Sequence, residues 1–242
     1  MQPRILFPDL RCGEVLLDEP SSHHLARVLR ARVGDPVTLF DGQGREALAT
    51  VISIEKEGVR LAAKAPTEIR RESPVSIELI QALCTGDKMD WVVQKATELG
   101  VAKITAVSAQ RSVLKLEGHR AEKRISHWRA IAEAASAQCG RNIVPEISGV
   151  HSFSQAMEIW RAAQMPKTGW LLDPFASQSL SSAALNGPLT FMIGPEAGWS
   201  DSEEAQARAA GFLGIRCGPR ILRTETAATV VLSAVAMRLG EL

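Results

Sequence analysis

The sequence predicts an α/β protein preceded by a small β-rich domain. Three observations carry that prediction. Up to about residue 70, short apolar runs are separated by turn residues. Beyond Pro74, apolar runs alternate with segments of helical spacing, the pattern of a mostly parallel sheet covered on both faces. Near the C-terminus, two apolar runs empty into Gly-Pro loops, and each loop is followed by a helix.

In the first region, residues 37–40 and 47–54 read as strands joined by Asp41-Gly42-Gln43-Gly44, a hairpin turn signal, with a third strand at 59–62 after Gly58. A helix is expected over 23–30, with Ser21 or Ser22 as its N-cap, ending before Gly34. Its basic residues include Arg27 and Arg30, a composition suited to RNA. Gly42-x-Gly44-x-x-Ala47 imitates a dinucleotide fingerprint, but a strand follows where a helix is required. The polar stretch ending in Ser73-Pro74 marks the domain boundary, giving domains 1–72 and 73–242.

In the second region, strands are expected at 75–83, 102–108, 143–147, 169–172, 189–193 and 212–215. The helix at 88–99 carries the stripe Met89, Val92, Val93, Ala96 and Leu99. A longer one at 120–139 places Ala121, Ile125, Trp128, Ala132, Ala135 and Cys139 on one face. Helices are also expected at 153–163 and after Ser200, where Ser200 and Glu203 have capping-box spacing. The final helix, 225–239, is apolar around most of its circumference and belongs in the interior.

Composition excludes several classes. Of 242 residues, 45% are hydrophobic and 23% charged, the mixture of a globular protein. No apolar run approaches the ~20 residues of a membrane span. The first residues, MQPRILFPDLRCGE, lack a signal-peptide core, so a cytoplasmic location is expected. Cys12, Cys84, Cys139 and Cys217 are scattered, which argues against a disulfide framework and reads as small buried apolar residues. No zinc-ligand spacing of Cys or His appears, and no metal site is expected. There is no GxxxxGK[ST] loop and no GxSxG elbow. The formal net charge is +1, but it is segregated: eight Lys/Arg against three Asp/Glu over 103–141, then two against seven over 142–206. Such segregation can offer a basic face to a polyanion or reflect solvated helices.

What remains is a set of Gly-, Pro- and Thr-rich loops at strand ends, near 172–173, 194–198 and 218–227. Exposed backbone groups there suit a neutral ligand that needs hydrogen bonds, such as adenine. Charged residues of these loops include Glu196, Arg220, Arg223 and Glu225; either glutamate can act in chemistry or favour a helix N-terminus.

The paired motifs GPEAGWS and CGPRILRTETA resemble the SPOUT superfamily of RNA methyltransferases, and most closely the bacterial 16S ribosomal RNA (uracil-N3)-methyltransferase family. The likeness extends through Gly86-Asp87-Lys88-Met89, the helix 94–101, Arg111-Ser112, His127-Trp128 with Glu133, and the N-terminal His24-Leu25. Ala197 and Cys217 depart from it, where the family usually has Gly and Leu. The resemblance implies a C-terminal trefoil knot, a PUA-like RNA-binding N-terminal barrel and a homodimer. It implies S-adenosylmethionine bound by Leu172, Asp173, Gly194, Pro195, Glu196, Gly198, Cys217, Gly218, Ile221, Leu222, Thr224 and Ala227. Small-subunit rRNA would meet Arg27, Arg30, Lys95, Gln138 and Arg141. Methylating N3 of a uridine requires loss of the N3 proton, with charge spreading to O2 and O4; Arg4, Arg111 or Arg223 would stabilise it, and Glu196 or a water would take the proton. Methylation of a ribose or another base, and RNA binding without catalysis, are the competing expectations.

Overall fold

The structure is a computed structural model and describes residues 2–163 and 167–242. The chain divides into two compact units, Met1–Glu72 with Glu133–Val144, and Ser73–Ala132 with Pro145–Leu242.

The first unit is built on a six-stranded sheet: β1 (Arg4–Leu6), β2 (Gly13–Leu16), β3 (Pro36–Phe40), β4 (Arg45–Glu55), β5 (Gly58–Ala63) and β6 (Thr67–Glu68). The order is β1-β3-β4-β5-β2, with β6 on β4; β1 runs parallel to β3 and the other pairings are antiparallel. Alternation along β4 buries Ala47, Ala49 and Val51 against Val37, Leu39, Leu61 and Leu25. In the predicted hairpin turn, the buried Asp41 carboxylate accepts from the backbone of Gln43 (2.8 Å) and Arg45 (3.0 Å) and from Arg45 Nε (2.7 Å).

The helix of this unit departs from the expectation over 23–30. It begins earlier, as α1 (Glu19–His23), and continues through a π-helical turn, His24–Val28. Its N-cap is Asp18, which accepts from the Ser21 N–H at 2.9 Å. Ser22 is instead buried, donating to Leu17 O (3.2 Å) and accepting from Val59 N–H (3.0 Å), so its hydroxyl ties helix to sheet. Arg30, with φ of 56°, ends the turn in the left-handed region.

Residues 141–144 join this unit through their backbone: Gly44 N–H donates to Asn142 O and Val144 N–H to Gly42 O, both at 3.1 Å. Ile143 accordingly makes only an isolated bridge to Gln43, and the strand expected at 143–147 begins later, at Glu146. Beneath this segment lies an ionic cluster. Glu46 meets Arg4 Nη1 at 2.9 Å and Arg71 Nη1 at 2.8 Å; Arg4 also donates to Asn142 Oδ1, and Arg141 pairs with Glu72.

The second unit is a six-stranded, wholly parallel sheet of order β12-β10-β11-β7-β8-β9. Its strands are β7 (Ile77–Ala82), β8 (Lys103–Ser108), β9 (Glu146–Ser152), β10 (Thr168–Leu172), β11 (Leu189–Ile193) and β12 (Leu213–Ile215). Its helices are α2 (Lys88–Glu98), α4 (Phe153–Ala162), α5 (Asp201–Ala209) and α6 (Thr224–Leu239), while α3 (Gly118–Cys139) runs on into the first unit. Ser152 and Ser200 each complete a capping box, with Gln155 and Glu203. On α2, Met89, Val92, Val93 and Ala96 are buried as their spacing predicts, and α6 buries Ala227, Ala228, Val231, Leu232, Val235 and Ala236. Asp90 of α2 accepts from Trp128 Nε1 (3.0 Å) and lies 2.7 Å from His127 Nε2, which fixes α2 to α3. Of the cysteines expected to be buried only Cys84 is: Cys139 is exposed because the stripe of α3 has left the core at its last turn, Cys12 is exposed just before β2, and Cys217 is half-buried. No helix among the described residues is long and apolar enough to cross a membrane.

Glu46 offers a test of the ionic cluster. Hydrogen bonds from Arg71 outweigh the opposing effect of burial and, with those from Arg4 and Asn142, hold its carboxyl at about 2. Because that value lies below the ordinary 4.5, the stabilisation is complete above pH 4.5 and is lost as the pH falls toward about 2. Glu46→Gln is expected to cost on the order of 2 kcal/mol at pH 7 and to flatten the acid limb of stability, read from urea unfolding midpoints across pH.

Candidate functional site

In the sheet of the second unit, β11 lies between β10 and β7, so the chain's last three strands release their loops side by side. Such a crossing at the carboxyl edge of a parallel sheet is where ligand crevices form. A cavity of about 460 Å³ opens there. Its walls come from Leu172, Asp173 and Pro174 after β10, from Ile193 through Glu196 and Gly198 after β11, and from residues 215–217 and 220–224 after β12, with Ala227 and Lys88.

The strand ends supply an apolar floor, Leu172, Ile193 and Ile215. The loop after β11 is pinned at both ends. The Thr224 hydroxyl, at the first turn of α6, donates to Gly194 O (2.7 Å) and accepts from Gln81 Nε2 (2.8 Å). Further along, Gly198 N–H closes a turn on Pro195 O (2.9 Å), with Gly198 at φ 72°. Arg30 is the one described non-glycine residue with positive φ, so Ala197 fits its place without strain. Gly194 is closely approached: a Cβ there would stand 3.2 Å from Trp199 Nε1 and 3.4 Å from the Trp199 backbone nitrogen, so Trp199 would have to give way slightly to any larger residue.

Glu196 reaches across to α2. It accepts from Lys88 Nζ (2.7 Å), the Thr85 hydroxyl (3.0 Å) and Thr85 N–H (3.2 Å). Burial raises its carboxyl, but the Lys88 bond and the backbone and Thr85 donors overcome that and bring it down to about 2. The same pairing raises the Lys88 ammonium above its usual range. A carboxylate so acidic is poorly matched to accepting a proton at neutral pH. Asp173 is likewise engaged, with Arg208 Nη2 (3.2 Å) and the Phe175 N–H (2.8 Å).

The structure brings most of the sequence-selected residues together. Leu172, Asp173, Gly194, Pro195, Glu196, Gly198, Cys217, Ile221, Leu222, Arg223, Thr224 and Ala227 line the cavity, and Gly218 lies just outside the lining, in the turn that follows Cys217. Of the three candidate cations, Arg223 alone lines it. Arg111 braces the start of α5, donating to Trp199 O (2.8 Å). Arg4 belongs to the first unit and is committed to Glu46 and Asn142. Lys95 pairs with Glu98 (2.8 Å) and stacks over Trp91, while Gln138, Arg27 and Arg30 are exposed. Arg141 is 4% exposed and held by Glu72, so it braces residues 141–144 rather than presenting a surface to RNA.

The lining also includes Lys88, Pro174, Ile193, Ile215, Arg216 and Arg220. Ile193 and Ile215 were legible as the last residues of predicted strands. Lys88 was not, because it arrives from a helix more than a hundred residues earlier. Among the described residues no group of three or more His, Cys, Asp or Glu is placed to hold a metal ion.

Comparison with known proteins agrees with this geometry. A family model described as RNA methyltransferase domain matches residues 71–236, and one described as RNA methyltransferase PUA domain matches 17–63. Fold and site therefore define an RNA methyltransferase. The ribosomal RNA small subunit methyltransferase E of Bacillus subtilis is 33% identical over 221 residues, spanning 88% of this chain and 86% of that one. The enzyme of that name from Neisseria gonorrhoeae, solved bound to S-adenosyl methionine, superposes with a TM-score of 0.89 at 34% identity over 98% of each chain. A Legionella pneumophila protein described as a methyltransferase, in complex with the cofactor SAM, gives 0.91 at 33% identity, again over 98% of each. The chain belongs to the ribosomal RNA small subunit methyltransferase E family.

Thr224 tests how the cavity is held. Thr224→Val leaves the Gly194 carbonyl and a Gln81 amide hydrogen without a partner in a buried place. The expected cost is about 1–3 kcal/mol, seen as a lower urea midpoint, with Thr224→Ser close to wild type.

Proposed function

We propose that this protein transfers a methyl group from S-adenosylmethionine to N3 of a uridine in 16S rRNA of the small ribosomal subunit. The observation that carries the reading is the three-loop cavity at the ends of β10, β11 and β12, apolar in its floor and cationic at its lip. Its volume of about 460 Å³ falls in the range of small-molecule sites, roughly 300–1,000 Å³. The donor set fits the group: an aliphatic floor for a purine, backbone of Gly- and Pro-rich loops for its edge, and the carboxylates of Asp173 and Glu196 for positive charge.

The residues that would hold the cofactor are Leu172, Asp173, Gly194, Pro195, Glu196, Gly198, Cys217, Gly218, Ile221, Leu222, Thr224 and Ala227. When bound, it supplies an electrophilic methyl on a sulfonium. The protein's part is positioning and charge. Arg223, exposed at the N-cap of α6 and without an ion pair among the described residues, stabilises the uridine oxygens that gain charge as N3 loses its proton. The proton passes to Glu196, or to a water that relays it to solvent. Arg111 and Arg4 act as braces. Apolar walls exclude solvent from the transfer.

The same reading assigns RNA binding to a PUA-like domain, residues 1–72, and catalysis to residues 73–242, with the C-terminal strands threaded as a trefoil knot. Arg27, Arg30, Lys95 and Gln138 would meet RNA. A homodimer working in the cytoplasm, where its substrate is made, completes it.

The reading is tested by calorimetry with S-adenosylmethionine and by primer extension on rRNA from a strain lacking the gene. Treatment with the protein should create a primer-extension stop at one uridine, since N3 methylation blocks pairing; modification without a stop would mean ribose chemistry. Arg223→Ala should lower kcat about 100-fold while cofactor affinity stays unchanged.

A further inference from the structure

Phe175 takes no part in the site as described, yet it stands at its edge. It follows Pro174, which lines the cavity, and at 86% exposure it is the most exposed large apolar side chain among the described residues. Its backbone is not slack. The Phe175 N–H donates to Asp173 Oδ1 (2.8 Å), and the Ala176 N–H donates to Asp173 O (3.1 Å). Arg208 holds the other Asp173 oxygen (3.2 Å), Arg216 Nη1 donates to Ala176 O (3.4 Å), and the Ala176 side chain is buried. The chain is thus fixed on both sides of a ring left in water.

The surroundings indicate what covers it. Arg216, Arg220 and Arg223 are all exposed on the loop after β12, which also lines the cavity, and Ile221 among them is 74% exposed. The Arg220 and Arg223 side chains have no ion-pair or hydrogen-bond partner among the described residues, and the carboxylates of the lining, Glu196 and Asp173, are held by Lys88 and Arg208. An exposed ring beside unpaired guanidinium groups is the combination that single-stranded nucleic acid fills, bases stacking on the ring and phosphates meeting the cations.

We propose that Phe175 is a stacking residue for a base flanking the nucleotide being methylated. The flanking base is indicated because Phe175 lies beside the cavity lining and not within it. The ring holds the neighbouring base outside, which fixes the strand and sends the reacting uridine inward. This inference rests on the RNA methyltransferase reading above.

The test compares wild type, Phe175→Leu and Phe175→Tyr on rRNA from the strain lacking the gene, with S-adenosylmethionine affinity from calorimetry and oligomeric state from sedimentation. Expected is a rise of about 10-fold or more in KM for RNA with Leu and recovery with Tyr, at unchanged cofactor affinity and oligomeric state. A Leu variant equal to wild type overturns the proposal, as does recovery failing with Tyr. Loss of cofactor affinity would assign the ring to the cofactor, and a changed oligomeric state would assign it to an interface between copies; either overturns it. A wild type that binds S-adenosylmethionine but methylates no RNA overturns the parent reading as well, so the two failures are distinguishable.

Discussion

One hydroxyl ties the candidate site together. Thr224 opens α6, donates to the carbonyl of Gly194 at the end of β11 and accepts from Gln81 on β7. Three segments far apart in the chain thereby share one buried hydrogen-bonded point, where the dielectric is low and an unmet partner is costly. The end of β11, where the cavity's loop begins, is thereby held to the start of α6, beside Arg223 at the helix N-cap. Threonine supplies both donor and acceptor in the volume of a valine; an apolar residue of that shape would leave the loop after β11 without its anchor.

Electrostatics then separate the charged side chains into those that brace and those that remain available. Glu196 and Lys88 neutralise each other across the cavity edge, Asp173 is spent on Arg208 and its own turn, and Arg111 on the start of α5. Arg4, Glu46 and Arg71 do equivalent structural duty in the first unit. The exposed guanidinium groups of Arg220 and Arg223 remain, so the lip of the cavity carries a positive charge that the lining does not cancel. A site with that balance attracts a polyanion over a Debye length or so before any specific contact forms.

Much of this was readable in the residues, and the limits have physical causes. Local patterns located β11 at its true bounds and α2 and α6 within a residue, and capping-box spacing located the start of α5, because each is bounded by a cap or a glycine. The strand expected at 143–147 begins three residues later, because Ile143 and Val144 pair with a turn about a hundred positions earlier, which periodicity cannot see. Ser22 and Arg141 failed similarly: both look like surface or capping residues, and each is buried by a partner distant in sequence, Val59 and Glu72. For the cavity, loops rich in Gly and Pro named most of its lining, since backbone shape is local. Lys88 and Arg216 depend on which strands lie side by side, and that is a property of topology.

The strand order itself has a consequence for how the protein is made. β11 must slot between β10 and β7, and its register with β7 pairs Leu189 with Ile77, so the sheet stays incomplete until most of the chain has been synthesised. Contacts of such separation make closure slow, and no early segment can bury its own apolar strand face alone. During translation β7, already able to pair with β8, must wait with its other edge open for β11, which emerges more than a hundred residues later. A nascent chain of this protein is therefore a natural client for chaperones, and its ligand-binding capacity is expected to arrive late and all at once.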